Sequence, residues 1–421
     1  MNEVRNIIIG FMLGEEWSDY CYFDRRTGEP VSLFLSDGAG GAHFPTRLAF
    51  LPVKEKWYTG SAASFYAESE GGLLIKNLFS VVNGHEEVTL GSFTFSPEDI
   101  LTAFLREALR AAGIVDPGKS IGCLAVAVDT LTPALVHNLR AAFAALGLRP
   151  DSCRIMNRMA AFYGFLKGER RMMRSGNCAL LSFSENEVIF EGLTEESEGG
   201  VMVSRAVPRR VYEIPVQDAK LYDVTTASFI GQCLDASPFM NVLITGKGYD
   251  KEIFRKTTAE ICRGRKAYLE SELFSKGAAW ATFIRTEGTG DDSYFAGPDV
   301  VPAEVTMDVL KQGRPAVLSL IPRGSRWYEI EGRERILLDG RETLLFTITR
   351  PGGRDRAELP LEGLPKRPDK ATFLMLEYKC PDEDTLLITA RDLGFGGFYL
   401  SGGLSFSMKL DLGAAAPSKE E

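Results

Sequence analysis

A chain of 421 residues with three histidines, no paired-cysteine motif and no long apolar run lacks the raw material for several kinds of chemistry. His43, His85 and His137 lie far apart and beside no Cys or acidic ligand pattern, which argues against a metal site. The seven cysteines (Cys21, Cys123, Cys153, Cys178, Cys233, Cys262 and Cys380) are odd in number, widely scattered and without a C-x-x-C pair, so reduced, mostly buried thiols are expected. Ser61, Ser96 and Ser182 stand in no G-x-S-x-G setting, and nucleophilic catalysis has no support. The longest apolar stretches, such as Ile7–Leu13 and Gly122–Val128, are strand-length, against the roughly 20 residues of a membrane helix. The first residues carry no secretory signal pattern, so a cytoplasmic location is expected. An excess of basic charge is also missing: 48 Lys and Arg against 57 Asp and Glu give a net charge of -9, which disfavours nucleic acid or an anionic membrane as main partner. No internal repeat is visible.

What is present is ordinary globular composition, 45% hydrophobic and 25% charged, in a length that allows about two to four domains. Strand-like and helix-like patterns alternate over roughly the first 280 residues, and only short strand-like runs follow. Phe95-Ser96-Pro97-Glu98-Asp99 offers a cap serine, a proline in the first turn and two acids matched to the helix dipole. Ile100, Leu101, Phe104, Leu105, Ala108 and Leu109 then recur at helical spacing until Gly113. Thr132-Pro133 opens a second helix that Gly147 ends. In the β part, Asp339-Gly340 predicts a tight hairpin between residues 335–338 and 343–348, and Pro381–Asp384 predicts another, within a sandwich of about eight strands. Arg170–Arg174 reads as a solvated loop cluster, and Trp327 and Tyr328 read as core or edge aromatics.

Taken in order, these blocks resemble the seventy-kilodalton heat-shock chaperones of the DnaK type. Residues 8–16, Ile-Ile-Gly-Phe-Met-Leu-Gly-Glu-Glu, stand where that family has its first phosphate loop. Phe44–Arg47, Tyr58–Ala63, Ile75–Leu78, Ala125–Asp129, Asn157–Gly164, Val242–Gly248 and Lys276–Ala279 look like further family segments in the same order. Leu320–Gly324 and Asp384–Asp392 are similar to its peptide-binding sandwich. The resemblance covers about residues 6–412 and implies an α/β two-lobed actin-like (ribonuclease-H-like) ATPase fold followed by an all-β sandwich. The implied limits are 1–285 for the nucleotide-binding-type domain, with lobes of about 1–168 and 169–285, then a linker over 286–300, the sandwich over 301–412 and a tail over 413–421.

The same resemblance makes Gly10, Gly14, Glu15, Lys76, Gly246, Lys247 and Gly248 the candidate nucleotide contacts, with Glu15 and Glu16 as candidate Mg²⁺ partners. It also marks departures. Met12 stands at the first loop's aspartate, Ser182, Ser184 and Glu185 replace the acid and glycines of the second, and Asn157 replaces the glutamate that positions water. A thioether is a poor Mg²⁺ partner. Two carboxylates beside a triphosphate would each repel it by about 4 kcal/mol at 4 Å and an effective dielectric near 20. About 50 residues separate Phe190 from Val242, so the adenine-side subdomain is expected to be reduced. The resulting expectation is a pseudo-ATPase with no resident cofactor. Its sandwich would bind a protein or peptide client, with no nucleic-acid or membrane partner. The alternative is a chaperone that binds ATP or ADP with Mg²⁺ and hydrolyses weakly. Val300-Val301-Pro302 stands in for the family's leucine-rich linker.

Overall fold

The structure is a computed structural model that describes residues 7–33, 42–169, 177–198, 201–214, 219–288, 293–350 and 353–413. The Arg170–Arg174 cluster and residues 414–421 of the expected tail lie outside the described residues. The chain divides between Phe295 and Ala296 into two compact units.

The first unit opens with an antiparallel meander of β1 (Ile7–Leu13), β2 (Trp17–Asp24) and β3 (Glu29–Ser32). Every residue of β1 after Ile7 is buried, as expected of a central strand covered on both faces. A run of short elements follows: β4 (His43–Pro45), which pairs with β2, then β5 (Leu48–Leu51), β6 (Lys56–Thr59), α1 (Gly60–Ser69), β7 (Leu73–Leu74), α2 (Leu78–Val82), β8 (Val88–Leu90) and β9 (Phe93–Phe95). Next come α3 (Pro97–Ala111), α4 (Pro117–Ser120), β10 (Ile121–Val128), α5 (Pro133–Ala145), β11 (Cys153–Asn157) and α6 (Arg158–Gly168). Ser96 and Asp99 form a capping box at α3, and the Thr132 hydroxyl accepts from Leu135 N at α5. Both caps satisfy amide donors that the first helical turn leaves without partners. β10 pairs in parallel with β1 and β11 in parallel with β10, so the sheet order is β3-β2-β1-β10-β11.

A second sheet repeats that order on a different sequence. β12 (Cys178–Phe183), β13 (Glu187–Glu198) and β14 (Val201–Ala206) form the meander, flanked by β15 (Arg210–Glu213). After α7 (Ala219–Leu234), β16 (Asn241–Gly246) joins β12 in parallel, and after α8 (Arg255–Ile261), β17 (Lys266–Leu269) joins β16. The order β14-β13-β12-β16-β17 therefore matches the first sheet strand for strand.

Helix α9 (Leu273–Glu287) lies against β1 and α6. Its backbone comes so close that a Cβ on Gly10 would sit 2.0 Å from Ser275 O, and one on Gly277 would sit 2.0 Å from Ala161 O. Glycine at both places is thus a packing requirement. Met12, Ala127, Met156, Phe162, Leu180, Leu243, Leu273 and Ala278 share one core that draws on both sheets and on α6 and α9.

The expected linker is shortened from both ends. Thr286 and Glu287 complete α9, which stops at Gly288 in the left-handed conformation, and β18 (Tyr294–Ala296) begins soon after. Val300 bridges to Arg326, and Val301 N donates to Ser325 O. These valines thus lie against their own unit.

The second unit has two four-stranded antiparallel sheets. β19 (Glu304–Lys311), β20 (Arg314–Ile321), β22 (Thr343–Arg350) and β23 (Gly353–Pro360) form one in the order β20-β19-β22-β23. β21 (Glu331–Leu337), β24 (Phe373–Asp382), β25 (Thr385–Gly394) and β26 (Ser405–Asp411) form the other in the order β21-β24-β25-β26. Alternate residues, among them Leu344, Phe346, Ile348, Leu374, Leu376, Leu386, Ile388 and Ala390, are buried, the pattern of sheets that share a core. The predicted Asp339-Gly340 hairpin is absent: β21 and β22 belong to different sheets, and the dipeptide turns a crossing between them. Gly340 does take φ +71°, but Leu338 bonds to Thr372 and Lys370, not to a partner on β22. The Pro381–Asp384 hairpin forms, with Asp382 paired to Thr385. No helix among the described residues is long and apolar enough to cross a membrane.

Candidate functional site

Most candidate residues of the first unit lie at the ends of β1, β12 and β16, whereas Gly10 lies within β1 and Lys76 elsewhere. At the β1–β2 turn, a Cβ on Gly14 would lie 2.4 Å from Trp17 O, so the turn folds tightly onto itself. Glu15 and Glu16 are exposed there, and Glu16 O accepts from Thr46 N at 2.9 Å. No group of three His, Cys, Asp or Glu side chains among the described residues is placed to hold a metal ion. The Met12 side chain is part of the shared apolar core.

The turns after β12 and β16 close on one another. Ser184 N donates to Glu187 O at 3.0 Å, its hydroxyl accepts from Glu187 N at 3.2 Å, and Glu185 is exposed. Gly246 takes φ +89°, and a Cβ on it would meet Phe183 O at 2.1 Å. A Cβ on Gly248 would meet Ser184 O at 2.0 Å, and Gly248 N donates to Phe183 O at 3.2 Å. The glycines serve an approach of backbone to backbone, and the Gly248 amide is consumed within the chain. Between them, Lys247 sets its ammonium 3.2 Å from the centre of the Trp17 ring. Desolvation there holds the Lys247 pKa below the usual lysine range, with the Asp19 carboxylate opposing. Lys76 lies apart, exposed in the turn between β7 and α2, and forms no ion pair among the described residues.

Two charged clusters that the residue patterns did not reveal lie within this framework. Asn157 caps α6 by accepting from Ala160 N at 2.8 Å, which sets Arg158 at the first turn. The Arg158 guanidinium then reaches Asp129 at 3.2 Å, the Ser182 hydroxyl at 2.8 Å and Glu191 at 3.1 Å, and lies over Phe274. Its approach to Glu191 Oε2 is a charge contact outside hydrogen-bond angles. The second cluster centres on buried Asp19. The Ser275 hydroxyl donates to Asp19, His43 Nδ1 lies 3.4 Å from the other carboxylate oxygen, and His43 Nε2 is buried without a hydrogen-bond partner. Burial opposes the charge on His43, but Asp19 overrides it and raises the His43 pKa. Nearby, Lys276 pairs with Glu270 at 2.8 Å and Glu272 at 3.4 Å. His137 likewise stands 3.4 Å from Glu98, so two of the three histidines have acidic neighbours that lie far off in sequence. A signal for Asp19 does exist in the chain: an acid inside the buried run Ser18-Asp19-Tyr20-Cys21 requires a partner.

The structure thus sets Gly246 and Gly248 against the Phe183–Ser184 turn, Lys247 on Trp17 beside the Gly14 turn, and Ser182 on Arg158 next to Asn157, while Gly10 is packed on α9 and Lys76 lies apart. All seven cysteines are free thiols, Cys262 exposed and Cys153 half-buried. By fold, the chain is a mixed α/β protein with duplicated sheet topology joined to an all-β unit. Residues 29–297 match the family described as "Family of unknown function (DUF5716) C-terminal", and the chain belongs to that family. Residues 300–412 match a "Domain of unknown function (DUF8552)". No curated protein matches the sequence.

Proposed function

We propose that the chain is a degenerate, heat-shock-chaperone-like protein. Its two-lobed, actin-like first unit does not hydrolyse ATP, and its sandwich binds a polypeptide or protein partner. The shared order of β3-β2-β1-β10-β11 and β14-β13-β12-β16-β17, followed by eight antiparallel strands, supports the architectural part of this reading. The observation that carries the functional part is the closed turn at Gly246–Gly248. A phosphate cradle needs backbone amides that point at open space. Here Gly248 N bonds to Phe183 O, and the glycines are packed against the Phe183–Ser184 backbone. Arg158 is likewise already shared between Asp129 and Glu191.

Calorimetric titration of the full chain with Mg-ATP and Mg-ADP tests this. No binding heat is expected up to about 1 mM ligand, which corresponds to less than about 4 kcal/mol of affinity. Phosphate release should stay at the buffer background. Micromolar binding, or hydrolysis that Lys76→Ala abolishes, would overturn the reading. If Glu15→Ala weakened such binding, the alternative of a slow, Mg²⁺-dependent ATPase would replace it.

A further inference from the structure

We propose that the outer face of the β21-β24-β25-β26 sheet docks on the same face of a second copy of this chain, about a two-fold axis that crosses the strands and sets Glu331 against Arg333 and Glu377 against Lys379. This goes beyond the reading of the sandwich as a partner-binding part and does not depend on it. Leu374, Leu376, Leu386, Ile388 and Ala390 are buried in the sandwich, so the residues that alternate with them stand on the outer face. Strand pairing sets these outer residues in rows. Glu331, Lys379, Leu387 and Lys409 form one row, and Arg333, Glu377, Thr389 and Ser407 form the next. Along β21 the sign changes from Glu331 to Arg333, and along β24 it changes from Glu377 to Lys379, both between the same two rows. The outer face of the other sheet has no such order. There the charges at the outward positions of β19 are both acids, Glu304 and Asp308, and the outward positions of β22 are Thr343, Leu345, Thr347 and Thr349.

The occupant follows from that order of charge. A partner of one sign meets repulsion somewhere on this face. A nucleic acid, an anionic bilayer or an acidic segment would meet Glu331 and Glu377 within it and Asp382, Glu383, Asp384 and Asp411 at its hairpin end, whereas a basic partner would meet Arg333, Arg335, Lys379, Arg391 and Lys409. A second copy, turned about an axis between the two rows, lays each strand antiparallel over its own counterpart. Glu331 then faces the partner's Arg333, and Glu377 faces the partner's Lys379. Each contact occurs twice, as an isologous interface requires. The row that holds Arg391 falls opposite the partner's Thr385 and Asp411, beside the hairpin acids.

Contacts within one copy hold several of these long side chains in place. Glu377 takes Arg333 at 3.1 Å and Arg391 at 2.9 Å, and the Arg335 guanidinium lies 3.8 Å from the centre of the Phe373 ring. Side chains held in this way lose less rotamer freedom on docking. The area agrees with a small dimer interface. Four strands about 4.8 Å apart, each about eight residues long at about 3.4 Å per residue, project an area of about 500 Å². The side chains that stand on it expose more surface than its projection, which brings the face to the lower end of the about 600–1,000 Å² per partner of specific interfaces. Contacts between charges at such an interface are screened by salt, so the expected dimer is weak and salt-sensitive.

Sedimentation of the full chain over about 1–300 µM, the range of a weak dimer, tests the proposal with two charge reversals. Glu331→Arg leaves two cations at these positions of β21, and Arg333→Glu leaves two anions. Each variant alone should associate at least about tenfold more weakly than wild type, because like charges then meet twice across the axis. An equimolar mixture of the two should form a mixed dimer within about threefold of wild-type affinity, because every contact is again between opposite charges. Wild-type association should weaken between about 0.05 M and about 0.5 M salt. Val317→Lys, at an exposed site on β20 of the other sheet, should change nothing. Where a reversal on β21 alters the melting of the chain, Glu377→Lys and Lys379→Glu supply the same test on β24. The proposal falls if the wild type stays monomeric over the whole range or forms species larger than a dimer. It falls equally if the single reversals dimerise as tightly as wild type, if the mixture fails to recover, or if Val317→Lys is the change that abolishes association.

Discussion

Replacing Arg158 by methionine tests whether the contacts of α6 with β12 and β13 are held by charge. The Arg158 side chain is 11% exposed and that of Glu191 7% exposed, so this pair is effectively buried, whereas Asp129 is 36% exposed. Methionine keeps the stem beside Phe274 and withdraws the cation. Loss of the Asp129 contact costs little, at most about 1 kcal/mol for a pair that water can screen. Glu191 is different, because its carboxylate stays buried with no compensating charge, and breaking one side of such a pair costs about 3–5 kcal/mol. With a urea dependence of about 3 kcal/mol per molar, the midpoint of the first unit should fall by about 1–1.7 M. Adding Glu191→Leu to Arg158→Met should recover most of the loss, since an apolar pair of similar volume is often as stable as the ion pair. Urea unfolding followed by tryptophan fluorescence and by far-UV circular dichroism measures both variants, with the transitions of the two units fitted separately. A midpoint change below about 0.3 M for the single variant, or a double variant no better than the single, would refute the argument.

Gly10→Ala places a methyl group 2.0 Å from Ser275 O and 2.9 Å from Ala279 N, so α9 must lift from β1, and a loss of about 3 kcal/mol is expected in a thermal scan. Titration of the native protein with a chromogenic disulfide should label Cys262 fast and Cys153 slowly, because burial pushes the Cys153 thiol up to about 12; several fast thiols would contradict the packing. Arg367 holds the Asp392 carboxyl down at about 2, so its contribution is complete above the ordinary value of 3.8 and lost as pH falls from there toward 2. The acid transition of the sandwich should therefore flatten in Asp392→Asn, which is also less stable at neutral pH. His43 has the opposite sign: raised above 6.5, it contributes fully below that value and loses its contribution as pH rises through the raised one. An imidazole NMR titration that placed His43 below 6.5 would remove the Asp19 contact from the account.

Local order was readable in the chain where the code is local. The Ser96 and Thr132 caps, the apolar stripe of α3 and the hairpin at Pro381–Asp384 each depend on residues within a few positions of one another. Asp339-Gly340 shows the limit of that code, because an Asp-Gly pair specifies a positive φ and not which strand comes next to which. β21 instead pairs with β24, and the chain crosses to the other sheet before β22. The duplicated sheet order left no sequence repeat because topology constrains only the pattern of burial, which β1 and β12 satisfy with different residues. The clusters at Arg158 and Asp19 were hidden for a related reason. Arg158 and Ser182 are 24 positions apart, and Asp19 and Ser275 are 256 apart.

The same contacts bear on what the first unit can do. A cleft that waits for a triphosphate must keep donors unpaired, and each buried donor left so costs about 1–3 kcal/mol until the ligand arrives. On the proposed reading, the positions that would face phosphate are turned to internal use. Met12 fills the core, Ser182 accepts from Arg158, Ser184 closes its own turn, and Gly248 donates to Phe183. The Arg158–Ser182 bond ties α6 to the second sheet, and the other two fix turns within that sheet. On the proposed reading, then, the first unit gains rigidity from the groups with which a nucleotide-driven relative would switch. Binding of a partner by this protein should accordingly be indifferent to ATP and ADP, and a partner affinity that changed severalfold when Mg-ATP was added would contradict that conclusion.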